Sequence, residues 1–501
     1  MPETASSHSR QTRANLIGQM DPAYSTSCLS YTTLLVCALS QIVFGSLYAF
    51  SSLADGLRDV ALGHTIPLSI MGVAGNTGTF ILGAIPGSIA DRYSSSKTVM
   101  YGTVLATVGW MALWGVVELA RANHSGSLNV SNGLLDSLAL ISLLIIGQGS
   151  VGGFLGSWIA AGKLFSKQRR GLVAGILLGG YSLSAGFCAL LFKSMLNGSV
   201  RWYCITLAVM GAVMGSAATA LLTLSMNKYN IETEHRRMEK DMEDTDENHG
   251  ERQADAKDTN ERSNFVPSIT SRFWFVKDKK FWGLYTSIFL TLGAALMYVN
   301  SASKMSESLE GSEESNSDAE ATTERLVLTF SVFNAVSRLI IGYVSDNVAA
   351  KGYPRPVLFI IPGATIIIAC LTAVFAGKTA LIAVSIFVGI AEGSCFALWP
   401  VVTRKWFGGN ESVSSSGVSF AVMNTAIGFG SLAFNGIFAL VYSAHEHKTD
   451  DNIQTCDGSQ CYSLSFIIAT VVNFVGLGLI WFLVDWDRRE QGYEHVDKEN
   501  E

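Results

Sequence analysis

Twelve apolar stretches, each about as long as a bilayer is thick, limit what this chain can fold into more than any other feature. A hydrocarbon layer of roughly 30 Å needs about 20 apolar residues in a helix. Spans 1 to 6 lie near 30–54, 65–90, 97–120, 134–162, 169–196 and 200–225. Spans 7 to 12 lie near 279–301, 324–346, 355–377, 379–403, 412–442 and 461–485. Backbone inside lipid must satisfy its own hydrogen bonds, so the prediction is an all-α polytopic membrane protein with twelve transmembrane helices in two six-helix bundles.

Composition supports this division of the chain. Only 15% of the residues are charged, against about a quarter in a typical soluble domain. The polar remainder is concentrated in a tail, a central linker and a second tail, and the linker is dense in charge of both signs, which is typical of disorder. The predicted segments are a cytosolic tail 1–29, a bundle 30–226, a disordered cytosolic linker 227–278, a bundle 279–486 and a cytosolic tail 487–501.

A short motif at the end of span 2 recurs at the end of span 8. Gly87 and Asp91, followed by Arg92, stand 255 residues before Gly342 and Asp346. An ordinary polar turn would not explain the return of this spacing, so we interpret the chain as two related halves. Each aspartate is expected to approach a helix N-terminus or a basic partner, and such contacts latch one conformation of a moving protein.

The two copies of this turn are not identical. The second has Asn347 where the first has Arg92, which predicts a weaker latch in that half. Similar helix starts follow spans 4 and 10, at Arg170-Gly171 and at Ser414 to Gly417. This second similarity also favours a duplicated design.

Basic residues orient the chain. With both termini in the cytosol, 26 of the 35 Lys and Arg residues lie inside, 8 outside and one in the membrane, as expected when positive charge stays on the cytosolic side. The dense cluster from Lys163 to Arg170 and the central linker decide this orientation. It places the sequons at Asn123, Asn129 and Asn197 outside, where they are candidates for glycosylation.

Two cysteines stand apart from the six in or next to apolar spans. Cys456 and Cys461 bracket four residues of the last outer loop. A disulfide is one interpretation in an oxidising compartment and a pair of free thiols is the other. No cleavable signal peptide is expected, because the first 29 residues are mostly polar, and span 1 would serve as the targeting signal.

Charge inside the spans is scarce, which makes its position informative. Arg338 is the single basic residue well inside a span, eight residues before Asp346 and therefore roughly 12 Å deeper along a helix. Glu392 lies near the middle of span 10. Arg338 could receive a substrate carboxylate while Glu392 carries a proton, or the two could form a static ion pair between spans 8 and 10.

The pattern of twelve spans, a long central linker and the repeated turn resembles the major facilitator superfamily. Several motifs are similar to its nodulin-like and monocarboxylate-transporter-homologue branch, including fungal members of the vacuolar membrane: Gly45-x2-Tyr48-Ala-Phe50, Gly75-Asn76-Thr-Gly78, Gly109-Trp110, Met297-Tyr-Val-Asn300 and Trp399-Pro400. The resemblance implies that Tyr48 and Asn76 line a substrate site. Monocarboxylate carriers typically have an aspartate four residues before the arginine of span 8, where this chain has Asn334.

These observations predict a secondary active or facilitative transporter that alternates access to a central site. The resemblance and Arg338 favour a small organic anion such as a monocarboxylate, bound by Arg338, Glu392, Tyr48, Asn76 and Asn334. The alternatives are a carrier of amino acids or another solute, and a membrane sensor that transports nothing.

An enzyme is not expected, because no nucleophile and base, metal-ligand spacing or phosphate-binding glycine loop occurs in the required context. We expect no cofactor, no metal and no nucleic-acid partner. The expected partners are the lipid bilayer and the solute, with or without a coupled proton, and the expected state is a monomer. The resemblance implies the vacuolar membrane, with the plasma membrane as the alternative.

Overall fold

A computed structural model describes residues 28–60, 62–66, 68–166, 169–247, 269–310, 316–375, 377, 380–408, 416–445, 447–448 and 454–500. These residues form helices joined by short loops, together with one antiparallel pair of two-residue strands, His447–Lys448 and Gln454–Thr455. Most of the first polar tail and the centre of the linker, 248–268, lie outside the described residues.

The first half contains spans 1 to 6. Their helices are Cys28–Phe44, Ser46–Ala49 and Phe50–Asp59 in span 1; Leu68–Asn76, Thr77–Ile81 and Ala84–Arg92 in span 2; Ser95–His124 in span 3; Asn132–Leu164 in span 4; Arg170–Leu190 and Leu191–Met195 in span 5; and Val200–Glu247 in span 6.

The second half contains spans 7 to 12. After a 3-10 segment, Ile269–Lys277, the helices are Lys279–Glu310 in span 7; Asn316–Ala350 in span 8; Arg355–Phe359 and Ile360–Val374 in span 9; Ala380–Phe407 in span 10; Ser416–His445 in span 11; and Ser463–Asn500, after Ser459–Cys461, in span 12.

Span 2 is interrupted, and the other spans are long enough to cross a bilayer as they stand. Within the described residues, eleven helices meet the length and hydropathy required for a crossing, and the segments of span 2 together supply the twelfth. The π-helical middle of span 2 leaves carbonyls that need partners. Gln148 of span 4 donates to Gly78 O at 2.6 Å, and Asn424 of span 11 donates to Thr79 O at 3.0 Å. The predicted twelve-helix fold is confirmed.

Two helices run past the predicted ends of their bundles. Span 6 continues to Glu247 rather than ending at 226, and span 12 continues to Asn500 rather than ending at 486. The start of the linker was therefore wrongly predicted as disordered. Its residues are rich in Glu, Lys, Arg and Met, which favour helix. Ion pairs four residues apart also support such an extension, as between Lys228 and Glu232 at 3.8 Å.

The helix packing repeats from one half to the other. In the first half, span 3 packs against spans 4 and 6, span 1 against spans 5 and 6, and span 2 against span 4. In the second half, span 9 packs against spans 10 and 12, span 7 against spans 11 and 12, and span 8 against span 10. Each of these five pairs recurs six spans later, as expected for two copies of one bundle. Between the halves, span 5 packs against span 8 and span 2 against span 11.

The end of the molecule that carries the two Gly-x3-Asp turns is called the turn end below. At the opposite end, a disulfide joins Cys456 and Cys461, so of the two interpretations left open by the sequence the structure has the bonded form. Gly458, between these cysteines, donates its backbone N–H to Ser308 O at 2.7 Å and ties this loop to span 7.

The three sequons at that opposite end differ in accessibility. Asn129 and Asn197 are exposed, whereas Asn123 is half-buried and its Oδ1 accepts a hydrogen bond from Val130 N at 2.9 Å. In a eukaryotic host we expect glycans on Asn129 and Asn197, because the transferase needs a free amide in a flexible segment. Gel mobility before and after endoglycosidase treatment of single Asn→Gln variants measures each site. A glycan that persists on Asn123 when the other two asparagines are replaced would contradict this expectation.

Candidate functional site

Arg338 is fully buried at the contact between the two halves. Its Nε donates to Asn334 Oδ1 at 2.7 Å, one turn earlier on span 8. Its Nη1 donates to Leu178 O on span 5 at 2.7 Å, across the boundary between halves. Its Nη2 lies 3.6 Å from Glu392 Oε1 on span 10. The arginine therefore connects both bundles.

The ion pair between Arg338 and Glu392 is incompletely bonded. Charge-assisted N–H···O bonds are typically about 2.7–2.9 Å long, so 3.6 Å is a loose contact. Arg338 Nη2 and both Glu392 carboxylate oxygens are buried without a hydrogen-bond partner among the described residues. Buried polar atoms almost always find partners, and a buried charge left unbonded is costly. The pair thus offers hydrogen-bonding capacity that a bound solute could use.

Aromatic side chains surround the pair. The Arg338 guanidinium lies over the Phe396 ring at 4.6 Å. Tyr48 is close enough to interact electrostatically with both charged groups, and its hydroxyl is buried without a hydrogen-bond partner within the described chain. The Tyr48 ring packs edge-on against Tyr181 at 5.4 Å. We call Tyr48, Asn334, Arg338, Glu392 and Phe396 the central cluster.

Asn76 is the one predicted binding residue that the structure does not bring to the central cluster. It ends the first helix of span 2 and is half-buried. No hydrogen bond between its side chain and the cluster is found in the described part of the chain.

Two residues that contribute to the central cluster or bond to it were not predicted from the sequence. Phe396 follows Glu392 by one helical turn, a spacing that could have indicated it, whereas Leu178 contributes only a carbonyl and leaves no signal.

An aromatic layer separates the central cluster from the turn end. Trp399 packs on Phe420 with ring centroids 4.5 Å apart, and Trp158 also packs on Phe420, at 5.2 Å. Trp399 lies seven residues beyond Glu392 on span 10, about 10 Å nearer the turn end. Because Trp158 belongs to the first half and Trp399 and Phe420 to the second, the layer joins the two bundles.

The Asp91 carboxylate caps a helix of the opposite half. Its Oδ1 accepts from Gly417 N and its Oδ2 from Val418 N, both at 2.9 Å. These N–H groups begin span 11, where the helix dipole also favours negative charge. Arg92, by contrast, is exposed, and no ion pair of Arg92 is found among the described residues.

Asp346 makes the equivalent contacts in the opposite direction. Its Oδ1 accepts from Gly171 N at 2.9 Å and its Oδ2 from Leu172 N at 2.8 Å, at the start of span 5. Arg355 also pairs with Asp346 Oδ1 at 3.0 Å. The second copy therefore has a basic partner, Arg355, although Asn347 stands where the first copy has Arg92. The weaker latch expected in this half stays a prediction.

Glycines allow these caps to form. A Cβ on Gly87 would lie 2.6 Å from Gly417 O, and a Cβ on Gly342 would lie 2.5 Å from Gly171 O. Real Cβ atoms do not approach carbonyl oxygens so closely, so the backbones can meet only where side chains are absent. The glycine of each turn thus contacts the helix start that its own aspartate caps.

Within the described residues, no group of three or more His, Cys, Asp or Glu side chains comes together in a way that could hold a metal ion.

Comparison with known proteins relates this fold to transporters. Residues 312–500 match the family model described as Major Facilitator Superfamily. A search of curated proteins finds no significant match. Three solved structures are similar over about nine-tenths of the chain. A major facilitator transporter, FucP, in the outward conformation has 12% identity and a TM-score of 0.54 over 89% of this chain and 98% of its own.

The other two structures are more similar in shape. The proton:xylose symporter XylE bound to 6-bromo-6-deoxy-D-glucose has 14% identity and a TM-score of 0.61, with 91% of this chain and 96% of its own covered. A bacterial homologue of the iron transporter ferroportin, in an outward-facing state, has 11% identity and a TM-score of 0.62, with 92% and 100% covered. Residues 312–500 match the Major Facilitator Superfamily by sequence, and the described chain is similar in fold to these three structures.

Proposed function

We propose that this protein is a membrane carrier for a small organic anion such as a monocarboxylate, and not an enzyme. The observation that supports it most is Arg338, a fully buried guanidinium between the halves with one nitrogen, Nη2, left without a hydrogen-bond partner among the described residues. A carboxylate at Nη2 would replace the loose contact with Glu392 by a short charge-assisted bond. The Tyr48 hydroxyl is a second donor for the same anion.

Alternating access would follow from the position of this site. Arg338 bonds to both bundles, and the aromatic layer and the two aspartate caps lie on one side of it. Release of the caps would let the bundles rock apart at the turn end and open a path to the central cluster. We infer that the turn end is cytosolic, in keeping with the basic residues near it, and that the described state is closed to the cytosol.

The direct test is uptake into sealed vesicles containing the purified protein. We expect a radiolabelled monocarboxylate to enter faster than into protein-free vesicles, with saturation and with competition by unlabelled cargo. A panel of amino acids, sugars and inorganic anions, each with and without a pH gradient, defines the cargo class. A correctly folded protein that moves none of them would favour the membrane sensor instead.

An amino acid is the second candidate, because the central cluster holds both signs of charge. Arg338 Nη2 could bind an α-carboxylate, while the Glu392 oxygens, which lack hydrogen-bond partners among the described residues, could bind the α-ammonium. A monocarboxylate has no ammonium group for Glu392 to bind, so this glutamate would stay available to take up a proton during the cycle.

Replacement of Glu392 by glutamine separates these two cases. For a monocarboxylate coupled to protons through Glu392, we expect exchange of cargo to continue and its stimulation by a pH gradient to disappear. For an amino acid, we expect the apparent KM to rise at least about tenfold because a charged hydrogen bond is lost. Uptake by wild type and the E392Q variant at several pH values measures both effects. Unchanged KM together with unchanged pH dependence would exclude both roles of Glu392.

Several finer properties rest on the resemblance noted in the sequence. We propose membership of the nodulin-like and monocarboxylate-transporter-homologue branch, residence in the vacuolar membrane and a monomeric state. Imaging of a tagged protein distinguishes the vacuolar from the plasma membrane, and light scattering of the purified protein gives its mass.

A further inference from the structure

Span 1 changes its helical form just before Tyr48. Its α-helix ends at Phe44, and a 3-10 turn follows over Ser46–Ala49. In a continuous α-helix the Tyr48 N–H would bond to Phe44 O, but here it donates to Gly45 O at 2.9 Å. The change deprives the carbonyl of Phe44, a buried residue, of that backbone donor, and a buried polar atom needs another partner.

Ser150 of span 4 supplies this partner, and Tyr181 of span 5 supports it. Ser150 Oγ donates to Phe44 O, and the hydroxyls of Ser150 and Tyr181 are hydrogen-bonded at 2.5 Å. A carbonyl can only accept, so the Ser150 proton is directed to Phe44 O and the Tyr181 O–H must be the donor to Ser150. The Tyr181 hydroxyl is therefore committed to a chain of hydrogen bonds that ends on span 1.

Span 5 makes further contacts with the same turn. Ser184 Oγ donates to Gly45 O at 2.7 Å. A Cβ on Gly45 would lie 2.4 Å from Ser184 Oγ and 2.6 Å from Tyr181 O, so the two spans can come this close only where a side chain is absent. The Tyr181 ring packs edge-on against the Tyr48 ring. Spans 4 and 5 thus hold the turn that carries Tyr48 from both its backbone and its side chain.

We propose that Tyr181 and Ser150 are positioning residues that hold the Tyr48 hydroxyl in the central cluster. This inference rests on the proposed function, in which Tyr48 donates a hydrogen bond to the cargo anion. A donor that is already in place when cargo arrives costs less entropy to use than one that must be ordered on binding. The two residues would therefore raise the affinity for cargo without touching it, and the rate at which the bundles rock would change little.

Removal of the Tyr181 hydroxyl tests this role in transport. The Y181F variant keeps the ring against Tyr48 but loses the donation to Ser150. We expect the KM for cargo to rise about threefold to tenfold, as for the loss of one neutral hydrogen bond, with kcat unchanged. S150A should act in the same direction. Y203F is the matched control, because Tyr203 is also a buried tyrosine of the first half but packs on Trp110, at 5.7 Å. Its KM should equal that of wild type.

A double-mutant cycle separates positioning from a general structural role. Y48F removes the donor itself and should raise KM about tenfold. If Tyr181 acts through Tyr48, the Y48F/Y181F double variant should have the KM of Y48F alone, because no hydroxyl remains to be positioned. Effects that multiply in the double variant would overturn the proposal, as would a Y48F variant with the KM of wild type. The cycle uses whichever solute wild type carries, so failure of the organic-anion function is seen in wild type and failure of positioning only in the cycle.

A spectroscopic measurement makes the test independent of transport. In the full-length protein labelled with fluorinated tyrosine, the fluorine NMR resonance that disappears in Y48F belongs to Tyr48. Y181F and S150A should shift that resonance, because the turn that carries Tyr48 loses a bond, whereas Y203F should leave it in place. A Tyr48 resonance that is identical in wild type, Y181F and S150A would overturn the proposal, whatever the protein carries.

Discussion

Replacement of Arg338 by glutamine is expected to lower the rate of anionic cargo uptake at limiting concentration by about a hundredfold. Loss of one partner from a buried charged contact typically costs about 2–5 kcal/mol, and each 1.4 kcal/mol is a factor of ten in binding. Glutamine retains hydrogen-bond donors but no charge, so the effect should fall mainly on cargo binding. Initial rates in vesicles over a range of cargo concentrations give kcat/KM.

The matched control for this variant is on the same span. Arg325 is exposed near the opposite end of span 8, and we expect the R325Q variant to transport normally. Because Arg338→Gln leaves Glu392 buried without its cation, stability must be measured as well. A double variant, Arg338→Gln with Glu392→Gln, removes both charges and should restore stability without restoring uptake. Wild-type uptake by a folded R338Q variant would remove the basis for an anionic cargo.

Replacement of Asp91 by alanine is expected to shift the balance between closed and open turn ends by about a hundredfold towards the open form. Hydrogen bonds to a charged group contribute about 1.5–3 kcal/mol each, and Asp91 accepts two across the boundary between halves. Losing both is worth about 3 kcal/mol or more, which is roughly two powers of ten in a two-state equilibrium. D346A should act in the same direction, since it removes the mirrored contacts and frees Arg355.

Distances between spin labels measure this shift. Labels at Lys97→Cys and Lys351→Cys, both exposed at the turn end on opposite halves, can be placed in a Cys28→Ser background, because the other free cysteines are buried. We expect wild type to show a short distance and the D91A variant to add or favour a longer one. The same short distribution in both proteins would show that Asp91 does not hold the turn end closed.

Asp136 provides a control that matches the chemistry of these caps. It is buried, and its carboxylate accepts backbone N–H bonds from Gly63, Thr65 and Ile66 at 2.7–2.9 Å. All of these contacts lie within the first half, between span 4 and the loop before span 2. The D136A variant should therefore lower the melting temperature and leave the distance between the labels unchanged. This result would separate a cap that stabilises a bundle from one that joins two bundles.

The count of the spans could be predicted because bilayer thickness fixes the length of an apolar helix, and the repeated Gly-x3-Asp turn indicated two related halves. Two features of the spans were not predicted. Span 2 is interrupted where its carbonyls bond to Gln148 and Asn424, partners on other spans that no local pattern reveals. The high charge density after span 6 predicted disorder. Span 6 nevertheless continues into the linker, because the same residues are good helix formers.

The two charged residues of the central cluster could be predicted from the sequence. Arg338 and Glu392 stand out because ionisable groups inside spans are rare and costly, and their depths matched well enough for a pairing to be considered. The partners that define their geometry carry no such signal. Leu178 contributes only its carbonyl, and Asp91 and Asp346 cap helices that begin 326 and 175 residues away in sequence.

By itself the sequence determined that this chain crosses the membrane as two similar bundles with one guanidinium well inside a span, because hydropathy, spacing and charge are properties that single residues and short motifs express. Only the tertiary structure decided which surfaces meet. The crossed caps, the loose Arg338 and Glu392 contact and the hydrogen bonds that hold the turn before Tyr48 each join residues from different spans, and in the caps from different halves. Such contacts depend on how the bundles are placed against each other, which the order of residues along a helix does not specify.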